Sequence, residues 1–225
     1  MLPPRFDSKL FDRLTNSQIG TIVASARQRT ISANQVLQDE AQPSGYLRLL
    51  LTGLAAFYKA TPGGNRLFLR WISPGDSFGL ATLIIPQQPY LVTVRTLGPT
   101  SVLEWERDVA NALVSQIARL RHNAYTIAND YMSALADVLV AYATQTAQER
   151  LARMLVESAE QVGHASHDGG VEVHLTNEQL AEMVGVSMFT VSRELNEWQR
   201  RGVLTKYRGK ILLRTPERLV SRHRH

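Results

Sequence analysis

LTNEQLAEMVGVSMFTVSRELNEWQRR, residues 175–201, has the pattern of two helices joined by a tight turn. Thr176 is suited to an N-cap, and Gln179 three residues later completes a capping box. Leu180, Ala181 and Val184 then recur at helical spacing until Gly185 ends the first helix. Ser187 caps a second helix that turns Val191, Leu195 and Trp198 inward and Ser192, Arg193, Glu197 and Arg200 outward. Ala181 is small where two helices cross, Gly185 supplies the positive φ of a sharp corner, and Val191 fills the angle. This order of residues is the spacing of a helix-turn-helix, whose second helix enters the major groove of duplex DNA.

The residues that follow separate this reading from an ordinary αα-hairpin. Gly202 to Thr205, Lys206 to Lys210 and Ile211 to Arg214 predict strand, turn and strand, with three positive charges and a Gly on the turn. A cationic hairpin in that place is a wing, set to touch phosphate. Residues 171–225 hold 10 Lys and Arg against 6 Asp and Glu, whereas residues 1–170 hold 15 against 14. The excess positive charge therefore sits on the last quarter of the chain, as a nucleic-acid-binding module requires.

Composition narrows the alternatives. At 225 residues and 44% hydrophobic content the chain can bury a full core and is expected to divide into two domains. The absence of Cys excludes disulfides, thiolate zinc sites, iron–sulfur clusters and a cysteine nucleophile. Neither an apolar run long enough to span a bilayer nor an export signal is present, so the expected location is the cytoplasm and no membrane partner is expected. No carboxylate pair, metal-ligand set or nucleophile with His sits at a matched spacing, so neither an enzyme nor a cofactor or metal is expected.

Residues 6–26 predict a short helical start with Phe11, Leu14, Ile19 and Ile22 as its apolar positions. From Thr30 to Trp105 the pattern changes to short apolar runs punctuated by Gln42 to Gly45, Thr61 to Asn65, Pro74 to Asp76, Pro86 to Pro89 and Gly98-Pro99. Strands spaced this regularly predict an antiparallel β-barrel or jelly roll. Residues 107–162 then contain neither Gly nor Pro. Leu113, Ile117, Leu120, Ala124, Ile127, Tyr131, Leu135, Val138 and Tyr142 recur at steps of three or four, nearly a heptad seam. They are the expected interface of a parallel coiled-coil homodimer; the other reading of the same periodicity is packing on the chain's own barrel. Thr144 to Thr146 is polar and helix-weak, and the hinge is expected there.

This order of parts resembles the cyclic-AMP receptor protein and fumarate–nitrate regulator (CRP/FNR) superfamily of bacterial transcription factors. The resemblance covers essentially the whole chain and is most specific from Leu175 to Leu195, at Gly202-Val203-Leu204 and at Gly209-Lys210-Ile211. It implies an α+β protein: a sensor barrel of the cyclic-nucleotide-binding type over residues 1–106, a dimerisation helix and hinge over 107–145, and a winged helix-turn-helix over 146–225. Pro74-Gly75-Asp76-Ser77-Phe78-Gly79 is similar to the turn that leads into the family's phosphate cassette. The cassette then departs from the family. Leu80 stands where cyclic-nucleotide binders carry the Glu for the ribose hydroxyl, and Tyr90-Leu91 where they carry Arg-Ser for the phosphate. Leu135-Ala136 replace the polar pair that meets the base. Without the Arg a phosphate has no bidentate cation, and each unpaired ribose hydroxyl costs roughly 1–3 kcal/mol. The nearest other arginine is Arg95. The degenerate pocket of Gly79, Leu80, Tyr90, Leu91, Leu135 and Ala136 is expected to ignore cyclic AMP and to be filled by its own side chains or by an apolar ligand. The barrel has no His, all six lying at 122 or beyond, so the haem ligation of other family members is not expected.

On the second helix Thr190, Ser192 and Arg193 agree with the family pattern, with Arg193 able to fork onto guanine. Met188 and Phe189 replace the Arg and Glu common there, and offer only apolar contact to a thymine methyl; the other reading of Phe189 is packing against its own domain. Thr176, Thr190, Arg200, Lys206, Arg208 and Lys210 are the candidate phosphate contacts. The sequence is thus expected to encode a homodimeric regulator of a palindromic operator, with double-stranded DNA and RNA polymerase as partners. The rival is a ligand-binding barrel whose winged helix contacts protein instead.

Overall fold

Short runs of β-branched and aromatic residues, broken by turn residues, form antiparallel strands in the computed structural model, which describes residues 7–61, 63–64, 66–85, 88–167, 169–216 and 219. Phe6, Pro62, Asn65, Pro86 and Gln87, read above as parts of a helix start or of turns, lie outside the described residues. The chain divides into two compact units, residues 1–60 with 69–136, and residues 61–68 with 137–225.

In the first unit a 3-10 turn precedes α1 (Asn16–Ala24), whose N-cap Thr15 makes a reciprocal capping box with Gln18. Strands β1 (Arg27–Ile31), β2 (Val36–Gln38), β3 (Tyr46–Thr52), β4 (Ala55–Ala60), β5 (Arg66–Ile72) and β6 (Ser77–Phe78) follow. A single helical turn, α2 (Ala81–Ile84), leads to β7 (Thr93–Thr96) and β8 (Thr100–Glu106). They form two four-stranded sheets, ordered β1-β8-β3-β6 and β2-β7-β4-β5. Alternation along β3 and β8 turns Leu47, Leu49, Leu103 and Trp105 toward helices and the residues between them to the opposite face. On that opposite face Arg48 and Glu104, facing in register, pair at 2.7 Å while both are almost fully buried.

The helical layer corrects the seam expected above. Chain 107–144 is two helices, α3 (Arg107–Gln116) and α4 (Ala118–Thr144), broken where Ile117 takes φ −126° and ψ 80°. Leu113, Ile117, Leu120, Ala124 and Ile127 are buried in the same core as Leu47, Leu49 and Trp105. They are sheltered within their own chain and are not available to a partner. Their period marks the face of the helix that a sheet covers. Asn123, also buried, donates to the carbonyls of Leu10 and Asp12 at 2.9 Å each and ties the start of the chain to α4. The first half of α4 therefore belongs to the barrel unit, and residues 107–136 are not a separate linking segment.

In the second unit Thr146 caps α5 (Ala147–Val162) through a capping box with Glu149, at the place where the polar Thr144 to Thr146 stretch ends α4. Strands β9 (His164–Ala165) and β10 (Val171–Val173) precede α6 (Asn177–Val184) and α7 (Met188–Arg200), and β11 (Leu204–Tyr207) and β12 (Lys210–Leu213) close the unit. The sheet order is β11-β12-β10-β9. Leu155, Leu180, Val191, Leu195, Trp198 and Leu213 make up much of a core in which each is at most 2% exposed. Tyr142 lies here rather than on an outer seam: its ring faces Gly185 and stacks under Arg150 at 4.7 Å.

Candidate nucleic-acid interface and effector cavity

The helix-turn-helix forms as the residues dictate. Thr176 accepts from the Gln179 amide and Gln179 returns a bond to the Thr176 amide, at 3.2 and 2.9 Å. Gly185 takes φ +70°, and Ser187 caps α7 by accepting from the Thr190 amide at 3.1 Å. With Val191, Leu195 and Trp198 buried, the opposite face of α7 presents Met188, Phe189, Arg193, Asn196 and Arg200 to solvent, with Ser192 half-buried beside them. Phe189 is 76% exposed and Met188 57%, so Phe189 does not pack against its own domain.

Most cations of this surface are engaged by neighbouring side chains. Arg193 donates from Nε and Nη2 to Glu194 at 3.1 and 2.9 Å, and Arg200 pairs with Glu197. Lys206 reaches across from β11 to Asn196 of α7 at 2.8 Å. Asn196, unremarked in the sequence, sits one turn beyond Arg193 on the same exposed face; that spacing was the available signal. Lys210 is bound to Glu172 at 2.9 Å, a pair that, through the hydrogen bond first, holds the Glu172 carboxylate below its ordinary value. Lys210 is therefore already paired, whereas Arg208, exposed at the wing turn, makes no ion pair among the described residues. Thr176 spends its side chain on the α6 cap.

In the first unit a cavity of about 210 Å³ opens between the barrel and α4. Gly79, Leu80, Tyr90, Leu91 and Leu135 line it; Ala136 does not, being exposed, and Ala134 stands in its place. The sequence did not point to Gln38, Phe57, Leu69, Arg70 or Tyr131 as lining residues, and only the pairing of strands distant in sequence brings them together. Gly75 and Gly79 of the cassette turn are required by the backbone itself. At φ +94° and +76°, a Cβ would lie 2.4 Å from the Asp7 carbonyl oxygen and 2.2 Å from that of Tyr46 respectively. Asp76 accepts from the Ser73 amide at 2.9 Å and closes the same turn.

The polar groups around the cavity are mostly engaged with one another. The Tyr90 hydroxyl accepts from the Gly45 and Tyr46 amides and donates to the Tyr46 carbonyl, so that Tyr90 offers the cavity only its ring. Arg70 donates to the Trp71 carbonyl and to Asp76, and its guanidinium lies over the Tyr131 ring at 4.4 Å. Tyr131 donates to the Ser77 carbonyl at 2.6 Å, and burial pushes its hydroxyl far above the usual tyrosine range. Arg95 donates to the Asn34 carbonyl and does not line the cavity. No group of His, Asp and Glu among the described residues is arranged to hold a metal ion, and none of their helices is long and apolar enough to cross a membrane.

A barrel unit with a lined cavity beside a long helix, followed by a winged helix-turn-helix, defines a two-part transcription regulator. The cyclic nucleotide-binding domain model matches residues 28–116 and the Crp-like helix-turn-helix domain model residues 149–222. The chain belongs to the CRP/FNR superfamily, whose members are transcription regulators and not enzymes. It is 21% identical over 218 residues, 96% of each chain, to the CRP-like cAMP-activated global transcriptional regulator of Mycobacterium tuberculosis. To the transcriptional regulator SdrP of Thermus thermophilus it is 28% identical over 164 residues, 73% of this chain and 77% of that one. Its fold is similar to that of the c-di-GMP responsive global regulator CLP of Xanthomonas campestris, with a TM-score of 0.78 and 19% identity over 88% of this chain and 99% of that one. FixK2 from Bradyrhizobium japonicum gives a TM-score of 0.72 with 21% identity over 86% and 95%.

Proposed function

We propose that the protein is a homodimeric regulator in the cytoplasm that binds a palindromic DNA operator and does not respond to cyclic AMP. The observation that carries the DNA reading is the exposed face of α7, where Met188, Phe189, Arg193, Asn196 and Arg200 share one side and Lys206 of the wing joins it. Arg193 and Ser192 read base edges, with Phe189 and Met188 against thymine methyls, and Arg208 and Arg200 hold phosphates. The same reading includes contact with RNA polymerase once the protein is on DNA.

Dimerisation is supported by a second apolar stripe on α4. Tyr125, Met132 and Leu139 recur every seven residues at 51%, 64% and 71% exposure. Ala136 and Ala143, also exposed, lie between and beyond them, small enough for two helices to approach. A stripe of this period, left in solvent by its own chain, fits a second copy of α4.

The related regulator of Mycobacterium tuberculosis is cAMP-activated. Here Leu80 and the ring of Tyr90 line the cavity, and the charge of its one arginine, Arg70, is already met by Asp76. A cyclic phosphate placed there would lose its water without gaining an unpaired cation. Calorimetric titration with cyclic AMP should give no heat of binding; micromolar binding at one site per chain would refute the point.

A further inference from the structure

The exposed side chains in the first turn of α7 carry no hydrogen-bond donor and no strong acceptor. They are Met188 and Phe189, at 57% and 76% exposure. Val191 is buried, and the half-buried Thr190 keeps its hydroxyl 3.0 Å from that of Ser187, which also accepts from the Thr190 amide. Charge selects what this apolar pair meets. Arg193, one turn beyond Phe189, and Arg200 share the exposed face, and Lys206 joins it from the wing, a setting that suits a polyanion. Residues at the start of a recognition helix are those that meet base edges.

In the major groove the bases present hydrogen-bonding atoms and one apolar group, the methyl of thymine. Met188 and Phe189 gain from taking that methyl out of water. Nothing in them separates the exocyclic oxygen of thymine from the amino group of cytosine. The base 5-methylcytosine carries the same methyl at the same place. We propose that Met188 and Phe189 read a pyrimidine methyl and not a base, so that 5-methylcytosine is accepted at the contacted position and cytosine is not. Where an operator has cytosine there, methylation of that cytosine strengthens binding, and DNA methylation becomes a signal the protein receives. The proposal rests on the DNA reading above and deepens it. Burying one methyl corresponds to about fourfold in affinity, and to about fifteenfold when both half-sites carry it.

The test is fluorescence-anisotropy titration of the full chain with duplexes built on the site it selects from random DNA. Thymines are replaced, one symmetry-related pair at a time, by uracil, which removes the methyl and alters no hydrogen bond. At one such pair uracil should weaken binding about fifteenfold. At that pair, cytosine and 5-methylcytosine, each opposite guanine, are then compared. The methylated duplex should bind more tightly by the same ratio as thymine over uracil. Met188→Ala with Phe189→Ala, both at exposed positions, should bring the two ratios close to one with the circular dichroism of the wild type retained. A selected site without thymine, uracil equal to thymine at every position, 5-methylcytosine no tighter than cytosine, or ratios unchanged in the double variant would each overturn the proposal. The comparisons among duplexes use the wild type and stand even where the double variant fails to fold. A selected site indifferent to methyl groups refutes this proposal alone, whereas failure to select any site refutes the regulator reading and this proposal with it.

Discussion

Under the proposed DNA reading Arg193 meets the bases most directly, and its free-state partner sets what binding must undo. Both of its donated bonds go to Glu194, which is mostly buried, so the fork must leave that carboxylate to reach a guanine. Arg193→Ala should cost roughly 1–3 kcal/mol on the preferred site and relax preference at one base pair per half-site, read by competition gel-shift. Arg208→Ala should weaken all duplexes alike and reduce the slope of log affinity on log salt by about 1 per wing. Lys210→Ala should do less, because Glu172 already holds that ammonium. At Tyr90 the expected effect is on stability. Tyr90→Phe strands the Gly45 and Tyr46 amides, and roughly 1–3 kcal/mol should be lost in urea denaturation. The outward position of Arg193 was legible because the helix-turn-helix spacing fixes which side chains face outward. The role of Tyr90 was not, since its hydroxyl binds backbone 44 and 45 residues away.

Helix α4 carries two apolar stripes, and charge placed on each should have opposite consequences. Ile127→Lys sets an ammonium in the core of the first unit, at a cost of several kcal/mol, and should unfold that unit by circular dichroism. Tyr125→Glu with Leu139→Glu should leave the fold intact and raise the dimer dissociation constant at least tenfold, about 1.4 kcal/mol, by sedimentation. Both stripes are present in the sequence, the buried one at steps of three and four and the exposed one as Tyr125, Met132 and Leu139 seven apart. Periodicity does not show which one the barrel covers, and the longer run of apolar residues, expected at a dimer seam, is the one buried in the chain's own core. The wing adds a pH effect. The folded value of Glu172 lies below its ordinary 4.5, chiefly through the Lys210 hydrogen bond and then that of His174. Its contribution is therefore present above 4.5 and lost as pH falls through the lower folded value, and amide exchange in β10 and β12 should quicken over that window.

For the molecule as a whole, the order of barrel, long helix and winged helix was legible because turn residues, strand alternation and caps are local signals. The division into units was less so: the first half of α4 joins the barrel through Asn123, Ile127 and Tyr131, contacts made with residues more than fifty positions away. The cavity was legible at its cassette residues and at Leu135, whereas Gln38 is brought to it by a strand pairing no local pattern encodes. The central claim concerns DNA, and selection from random duplexes with the purified full chain tests it most directly. The enriched site should have two-fold symmetry with half-site centres about 10–10.5 base pairs apart, and its enrichment should be the same with and without an excess of cyclic AMP. Failure to enrich any duplex, an asymmetric site, or enrichment only in the presence of cyclic AMP would contradict it.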